Sequence, residues 1–414
     1  MIHIVNKQEC CGCAACVQRC PKHCIHLVED TEGFLYPEVN VENCIDCGLC
    51  EKVCPLLSKV QPISVQKTFA VKNRNEEERL SSSSGGVFIA LAKMILQKGG
   101  VVFGAVYDEH WEVRHTYAES LEGVKKMMGS KYMQSRIENA YADAERFLKS
   151  GREVLFTGCP CQIAGLHGFL RKDYPNLLAV DCLCHGVPSP GVWRKYLSET
   201  FSTPYKKERK NSKVLLSTIA GDESVITDIS FREKRPYGWK KYSFVVHGKR
   251  ALKKEKYSVL LSEVYRENPF MRGFLADIYL RPSCYSCKCK NGVSHSNLTI
   301  ADFWGINKVM EDFDDDKGVG LVLLNTSKAL NLFPLLNMEC RETSLDTVCH
   351  MNGGFKEKIS VHPKRDYFYR QIARDKNFTE TVESCLRIPL KNRAISYLKR
   401  IIKGGLRLLY IRTQ

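Results

Sequence analysis

The sequence predicts a chain of mixed class. A small α+β unit at the N-terminus leads into an α/β body with a mainly parallel sheet, and a helical tail follows. Three observations carry this. The first sixty residues contain a duplicated four-cysteine run. Beyond residue 66, short apolar segments alternate with helical ones, the pattern of βαβ units. In the last stretch Leu390, Ala394, Ile395, Leu398, Ile401 and Ile402 recur at helical spacing, with Lys and Arg on the other face. The expected units are residues 1–60, 66–200, 201–350 and 351–414.

The N-terminal unit is the most specific element. ECCGCAACVQRCP places Cys10, Cys13, Cys16 and Cys20 in a C-x2-C-x2-C-x3-C-P run, and NCIDCGLCEKVCP repeats it with Cys44, Cys47, Cys50 and Cys54. This doubled run is the signature of bacterial two-cluster ferredoxins, in which the fourth cysteine of each run ligates the other cluster. One 4Fe–4S cluster is therefore expected on Cys10, Cys13, Cys16 and Cys54, and the second on Cys44, Cys47, Cys50 and Cys20. Three thiolates from one tight loop can reach three corners of a cubane, and Gly12, Ala14, Ala15 and Gly48 let the backbone wrap closely. The fourth corner must come from outside that loop. Cys11 and Cys24 fall off the pattern and read as spectators. More than 300 residues follow, so the unit reads as an electron port for something larger.

After a linker around residues 58–66, TFAVK reads as a strand and SSSSGGVFIALAKMILQKGG as a capped amphipathic helix. Strand VVFGAVYD, helix IENAYADAERFLKSG, strand EVLFTG, helix CQIAGLHGFLRK, strand LLAVDCLC and helix SPGVWRKYLSET follow. Two loops point at the carboxyl ends of strands, where open α/β sheets bind ligands. Ser81–Gly86 opens a helix, so its hydroxyls and the helix amides either hold a phosphate or flavin edge or simply cap the helix. FTGCPCQIAG and DCLCHG present Cys159, Cys161, Cys182 and Cys184 at neighbouring strand ends, as ligands or as packing residues. RPSCYSCKCKNG adds Cys284, Cys287 and Cys289. Alone, it is a redox dithiol, half a zinc site, or part of a site completed from elsewhere in the chain.

Twenty cysteines, clustered in a chain with no secretory pattern at its start and no long apolar run, argue for metal binding in a reducing cytoplasm. The net charge of +16 is uneven. Residues 1–64 are net acidic, residues 201–260 strongly basic, and nothing acidic follows Leu386. No nucleic-acid module accompanies the basic clusters (206–210, 232–235, 251–256), which argues against nucleic acid and for solvated faces. The basic C-terminal helix would lie on an anionic membrane surface at the inner face, or on a partner.

SSSSGGVF, GSKYMQS, LFTGCPCQIAGL, CHGVPSPGVW, FREKRPYGW, LRPSCYSCK and LTIADFWGI follow one another as in the family of coenzyme F-420 hydrogenase/dehydrogenase beta subunits, which the chain resembles over roughly residues 65 to 330. The resemblance implies an iron–sulfur flavoprotein, with FAD converting between hydride and single electrons. It places the family's cysteines on Cys161, Cys184, Cys284 and Cys287, enough for a third 4Fe–4S cluster. It also sets Ser84, Gly85, Gly86 and Lys131 beside the flavin or its substrate, and matches Asp302, Phe303, Trp304 and Gly305 to the DFWG segment. Cys159, Cys289, Asn297 and Ala301 stand where the family usually has threonine, an aromatic, aspartate and glycine. His185, next to Cys184, reads as a hydrogen-bonding neighbour of that cluster. Expected partners are an electron-carrier protein such as ferredoxin and a small two-electron substrate. The alternative is a non-catalytic electron-transfer subunit serving a separate enzyme.

Overall fold

A computed structural model describes residues 1–201, 225–249, 258–351 and 359–387. The basic clusters at 206–210 and 251–256, and the amphipathic tail from residue 388 onward, lie outside the described residues. Among those described, no helix is long and apolar enough to cross a membrane.

The N-terminal unit pairs strand β1 (Ile25–Glu29) with β2 (Leu35–Val39) as an antiparallel ribbon. Two short helices, Ala15–Arg19 and Leu49–Lys52, each start from a left-handed residue, Ala14 at φ 57° and Gly48 at φ 67°. These turns bend each cysteine run back on itself, so the small residues between the thiols do the wrapping expected of them.

The body is built on an eight-stranded sheet. Its strands are β3 (Lys67–Asn73), β4 (Val101–Tyr107), β5 (Val113–Ala118), β6 (Val154–Gly158) and β7 (Leu177–Cys182), joined by three from later in the chain. A separate antiparallel sheet holds β8 (Val225–Glu233), β9 (Ser243–Lys249) and β10 (Ser258–Val264). The later strands of the large sheet are β11 (Leu298–Asp302), β12 (Gly320–Leu324) and β13 (Met338–Thr343). The order is β13-β3-β12-β11-β7-β6-β4-β5.

The four central strands, β4, β6, β7 and β11, are parallel. Leu177 to Val180 are buried on both faces, as continuous apolar strands in parallel sheets are. Antiparallel strands extend both edges, β5 on one side and β12, β3 and β13 on the other. TFAVK does form a strand, but it pairs with β12 and β13 rather than opening the parallel series. The large sheet thus draws strands from both sides of residue 200.

The N-terminal unit docks on one face of this sheet. Cys13, Ala15, Cys16 and Val53 share an apolar core with Tyr141, Phe156, Ile163 and Leu166. The approach needs glycine. A Cβ on Gly168 would stand 2.4 Å from the Val53 carbonyl oxygen, and one on Gly33 would stand 2.5 Å from the Gly191 Cα. Ion pairs frame the contact, Arg19 with Glu145 at 3.4 Å, Arg365 with Glu32 at 2.6 Å, and Arg194 with Glu29. The acidic balance of the first 64 residues is therefore spent in part on this interface.

Gly168 lies within the helix Pro160–Leu170. Alanine there gains about 1 kcal/mol of helix propensity but has to displace the Val53 backbone. Gly168→Ala is expected to lower Tm and to speed tryptic cleavage at Lys59 in the linker. A raised Tm with an unchanged cleavage rate would contradict the close docking.

Candidate functional site

The carboxyl ends of β6, β7 and β11 open into a cavity of about 670 Å³. Ser84, Gly85, Gly86 and Lys131 all line it, as do Cys159, Cys182 and Cys184. Gly85 is wedged against the sheet, where a Cβ would stand 2.4 Å from both the Gly320 nitrogen and the Val71 oxygen. Gly86 adopts φ 81° and is the residue from which helix Val87–Gln97 starts, without any side-chain cap.

The expected serine cap is not formed, because the hydroxyls bond elsewhere. Ser82 donates to the Glu78 carbonyl at 2.7 Å and Ser84 to that of Val319 at 2.8 Å, while Ser83 accepts from the Ser130 amide at 2.7 Å. What the turn offers to the cavity is a helix N-terminus with backbone donors, a setting that favours an anion.

Lys131 is lodged in the cavity wall, and its ammonium donates to the carbonyls of Met127, Met128 and Gly129 at 3.4, 3.1 and 3.3 Å. It closes the end of helix Leu121–Met127. Burial pushes it down to about 8.

Sequence reasoning passed over the strongest polar pair in the wall. Arg232, on β8, makes a two-pronged contact with Asp302 of the DFWG segment, 2.9 Å at each prong. The guanidinium also donates to Tyr132 Oη at 3.0 Å and stacks over Tyr242 at 4.1 Å, while the Trp239 indole donates to Asp302 at 2.8 Å. Lys234 reaches the carbonyls of Arg79, Ser84 and Lys317 at 2.6, 2.8 and 2.8 Å, tying the Ser84 turn to the three-stranded sheet. An arginine and an aspartate in two separate motifs of the resemblance were the available signal for this pair.

His115 was also missed. Its Nε2 meets the Thr157 carbonyl at 3.0 Å and its Nδ1 meets Ser135 Oγ at 2.9 Å. Gln162 then donates to Ser135 at 2.8 Å and accepts from the Cys159 amide at 2.8 Å. Burial pushes the imidazole down to about 4, so the neutral ring donates to Thr157 and accepts from Ser135.

A second, tighter space lies between this cavity and the N-terminal unit. It is walled by Cys161, Cys184, Cys284 and Cys287, together with Cys11 and Cys289. The structure thus brings together the four thiols named from the resemblance. The stretch Cys184–Val187 walls both spaces. Burial, then the neighbouring Cys184 sulfur, pushes the Cys284 thiol up to about 12. Such thiols ionise when a metal cation shares the site, which is how this donor set fits a metal cluster. Among the described residues no three such side chains converge on one point fit for a single metal ion; these thiols wall a volume instead. His185 meets Asp277 at 2.6 Å, a hydrogen-bonded position beside Cys184.

In the N-terminal unit, Cys20 lies with Cys44, Cys47 and Cys50 around one small cavity, joined by Cys24, whose sulfur is 3.4 Å from that of Cys20. Cys16 faces Cys10 and Cys54. The fourth cysteine of each run therefore sits with thiols of the other run. Cys11 interacts with both Cys13 and Cys161, spanning the two units. Arg281, just before the Cys284 turn, is fully buried and donates to the Cys10 carbonyl at 2.8 Å and the Cys10 sulfur at 3.5 Å.

Fold and site together define an iron–sulfur electron-transfer protein, a two-cluster ferredoxin unit fused to an α/β body. Residues 9–56 match the model of the 4Fe-4S dicluster domain, and residues 151–344 match that of the C terminus of the coenzyme F420 hydrogenase/dehydrogenase beta subunit. Residues 151–344 thus form the C-terminal domain of that beta-subunit family, joined to a 4Fe-4S dicluster domain.

It is 26% identical over 195 residues to the F subunit of the F(420)H(2) dehydrogenase of Methanosarcina mazei, covering 44% of this chain and 54% of that one. It is 28% identical over 218 residues to the coenzyme F420-dependent sulfite reductase of Methanocaldococcus jannaschii, covering 52% and 33%. The chain thus spans about half and a third of these two relatives. A 7Fe ferredoxin of Hydrogenibacillus schlegelii is 40% identical over 80 residues, 95% of its length and 18% of this chain.

The neutral His115 generates a pH dependence. Below about 6.5 the unfolded chain's imidazole takes up a proton that the folded one refuses until about 4, so acid favours unfolding. His115→Gln is expected to abolish up to about 3 kcal/mol of the stability loss between pH 6.5 and 4, read from urea midpoints. Parallel pH profiles for variant and parent would contradict the buried neutral ring.

Proposed function

We propose that the chain is a flavin-dependent iron–sulfur oxidoreductase, passing electrons between its ferredoxin clusters and a two-electron substrate. One observation carries this reading. The space walled by Cys161, Cys184, Cys284 and Cys287 touches the ferredoxin unit through Cys11 and shares the Cys184–Val187 stretch with the large cavity. A 4Fe–4S cluster held by those four thiols links the two.

The large cavity is the proposed FAD site. When bound, the flavin supplies exchange between hydride and single-electron chemistry. The protein's part is binding and shielding. The uncapped helix N-terminus after Gly86 receives an anionic phosphate. Gly85 lets the turn lie flat on the sheet, and Lys234 holds that turn from behind. The Arg232–Asp302 pair, with Trp239 and Tyr242 around it, fixes the far wall without leaving an unpaired charge. The names of the two archaeal relatives support a reduced deazaflavin as the class of hydride donor, with a ferredoxin-type protein as electron partner. Because one relative is named a subunit, a non-catalytic role beside a separate enzyme is the second reading.

Anaerobically purified protein is expected to hold about twelve irons and one FAD, and to oxidise a reduced deazaflavin unaided. Cys284→Ser or Cys287→Ser should each remove about four irons and leave the ferredoxin signal intact, whereas Cys289→Ser should remove none. Eight irons without flavin would leave only the electron-transfer role. Zinc in place of the last four irons would show a zinc staple.

A further inference from the structure

Two thiols on the cavity wall belong to no proposed cluster. β6 and β7 are parallel neighbours with Gly158 opposite Asp181. The next residues, Cys159 and Cys182, come out side by side at the strand ends, and both line the large cavity. Neighbouring strands lie about 4.8 Å apart, inside the 4.4–6.8 Å range of Cα separations that a disulfide spans. The two thiols interact directly with one another as well as with Cys184. Cys161 and Cys184, two residues further along each segment, wall the tighter space, and Cys184 lines both. Cys159 also heads helix Pro160–Leu170, and its amide is held by Gln162.

We propose that Cys159 and Cys182 form a reversible dithiol–disulfide couple in the cavity, a two-electron store beside the cofactor site. Its electron partner rests on reading that cavity as a flavin site. In the oxidation, two S–H bonds break and one S–S bond forms. The electron pair and two protons pass to an oxidised flavin-type ring, and the reverse step restores both thiols. The couple moves electrons in pairs, as a hydride carrier does, so it exchanges with the flavin-type ring and not with the one-electron clusters.

The test uses the anaerobically purified full-length holoprotein, oxidised with one equivalent of diamide, alkylated, digested with trypsin and analysed by mass spectrometry. The expected result is a cross-link between the Cys159 and Cys182 peptides, two hydrogens lighter than the pair of free peptides and reversed by dithiothreitol. Cys159→Ser and Cys182→Ser should each lose the cross-link and retain the parent's iron content. Full alkylation of both thiols after oxidation would overturn the proposal. So would a loss of about four irons in either variant, which would make that residue a cluster ligand. The cross-link is read whether or not FAD is bound, so its absence counts against the couple, whereas a flavin-free protein counts against the cavity assignment.

Discussion

The buried guanidinium of Arg281 is the interaction on which the architecture turns. Its side chain has no exposed surface, and its donors meet the carbonyls of Cys10 and Leu35, the Gln134 amide oxygen and the Cys10 sulfur. It stacks over Tyr36 at 4.3 Å. None of these contacts is a carboxylate. A buried cation without an anion costs several kcal/mol, and on the proposed reading a Cys10 thiolate, formed when the cluster binds, supplies the compensating charge although burial alone pushes that thiol up. Cluster assembly in the ferredoxin unit and docking of that unit on the body are therefore one electrostatic problem. Arg281 also begins the turn that carries Cys284 and Cys287, so the same residue sets the position of the next group of thiols.

The body meets this constraint by close backbone approach. Gly168 and Gly191 admit the ferredoxin backbone at Val53 and Gly33, and Gly165 lies against Cys13, where a Cβ would come within 3.0 Å of its sulfur. The segments that follow β6 and β7 deliver Cys161 and Cys184 to the sulfur-lined space, and the 3-10 turn Pro282–Ser286 brings Cys284 to it. Apolar packing supplies the rigidity that holds the thiols in register. The large cavity then lies one wall away from the sulfur-lined space.

Much of this was legible in the sequence because chemistry and spacing coincide there. The doubled cysteine run, the glycine turn before helix Val87–Gln97, and the Cys161, Cys184, Cys284, Cys287 set depend on local spacing or on ordered motifs. Arg281, His115, Gln162 and the Arg232–Asp302 pair were not legible as site residues. Each acts on a partner at least 20 positions away, and in isolation each looks like an ordinary solvated or packing side chain. The sheet edges were hidden for the same reason. Periodicity marks TFAVK as a strand but does not say that β12 and β13 will flank it. Lys131 shows the converse limit, a residue that lines the cavity while its ammonium is engaged by the carbonyls at a helix end.

The central claim is that electrons cross from the cavity to the ferredoxin unit through the thiols between them. The most direct measurement is anaerobic stopped-flow absorbance with a reduced deazaflavin donor, following the cavity cofactor and the ferredoxin clusters separately in the parent chain and in Cys284→Ser. The account predicts that the cofactor is reduced in both proteins, while bleaching of the ferredoxin clusters slows by several orders of magnitude in the variant. Bleaching at the parental rate in Cys284→Ser would contradict it.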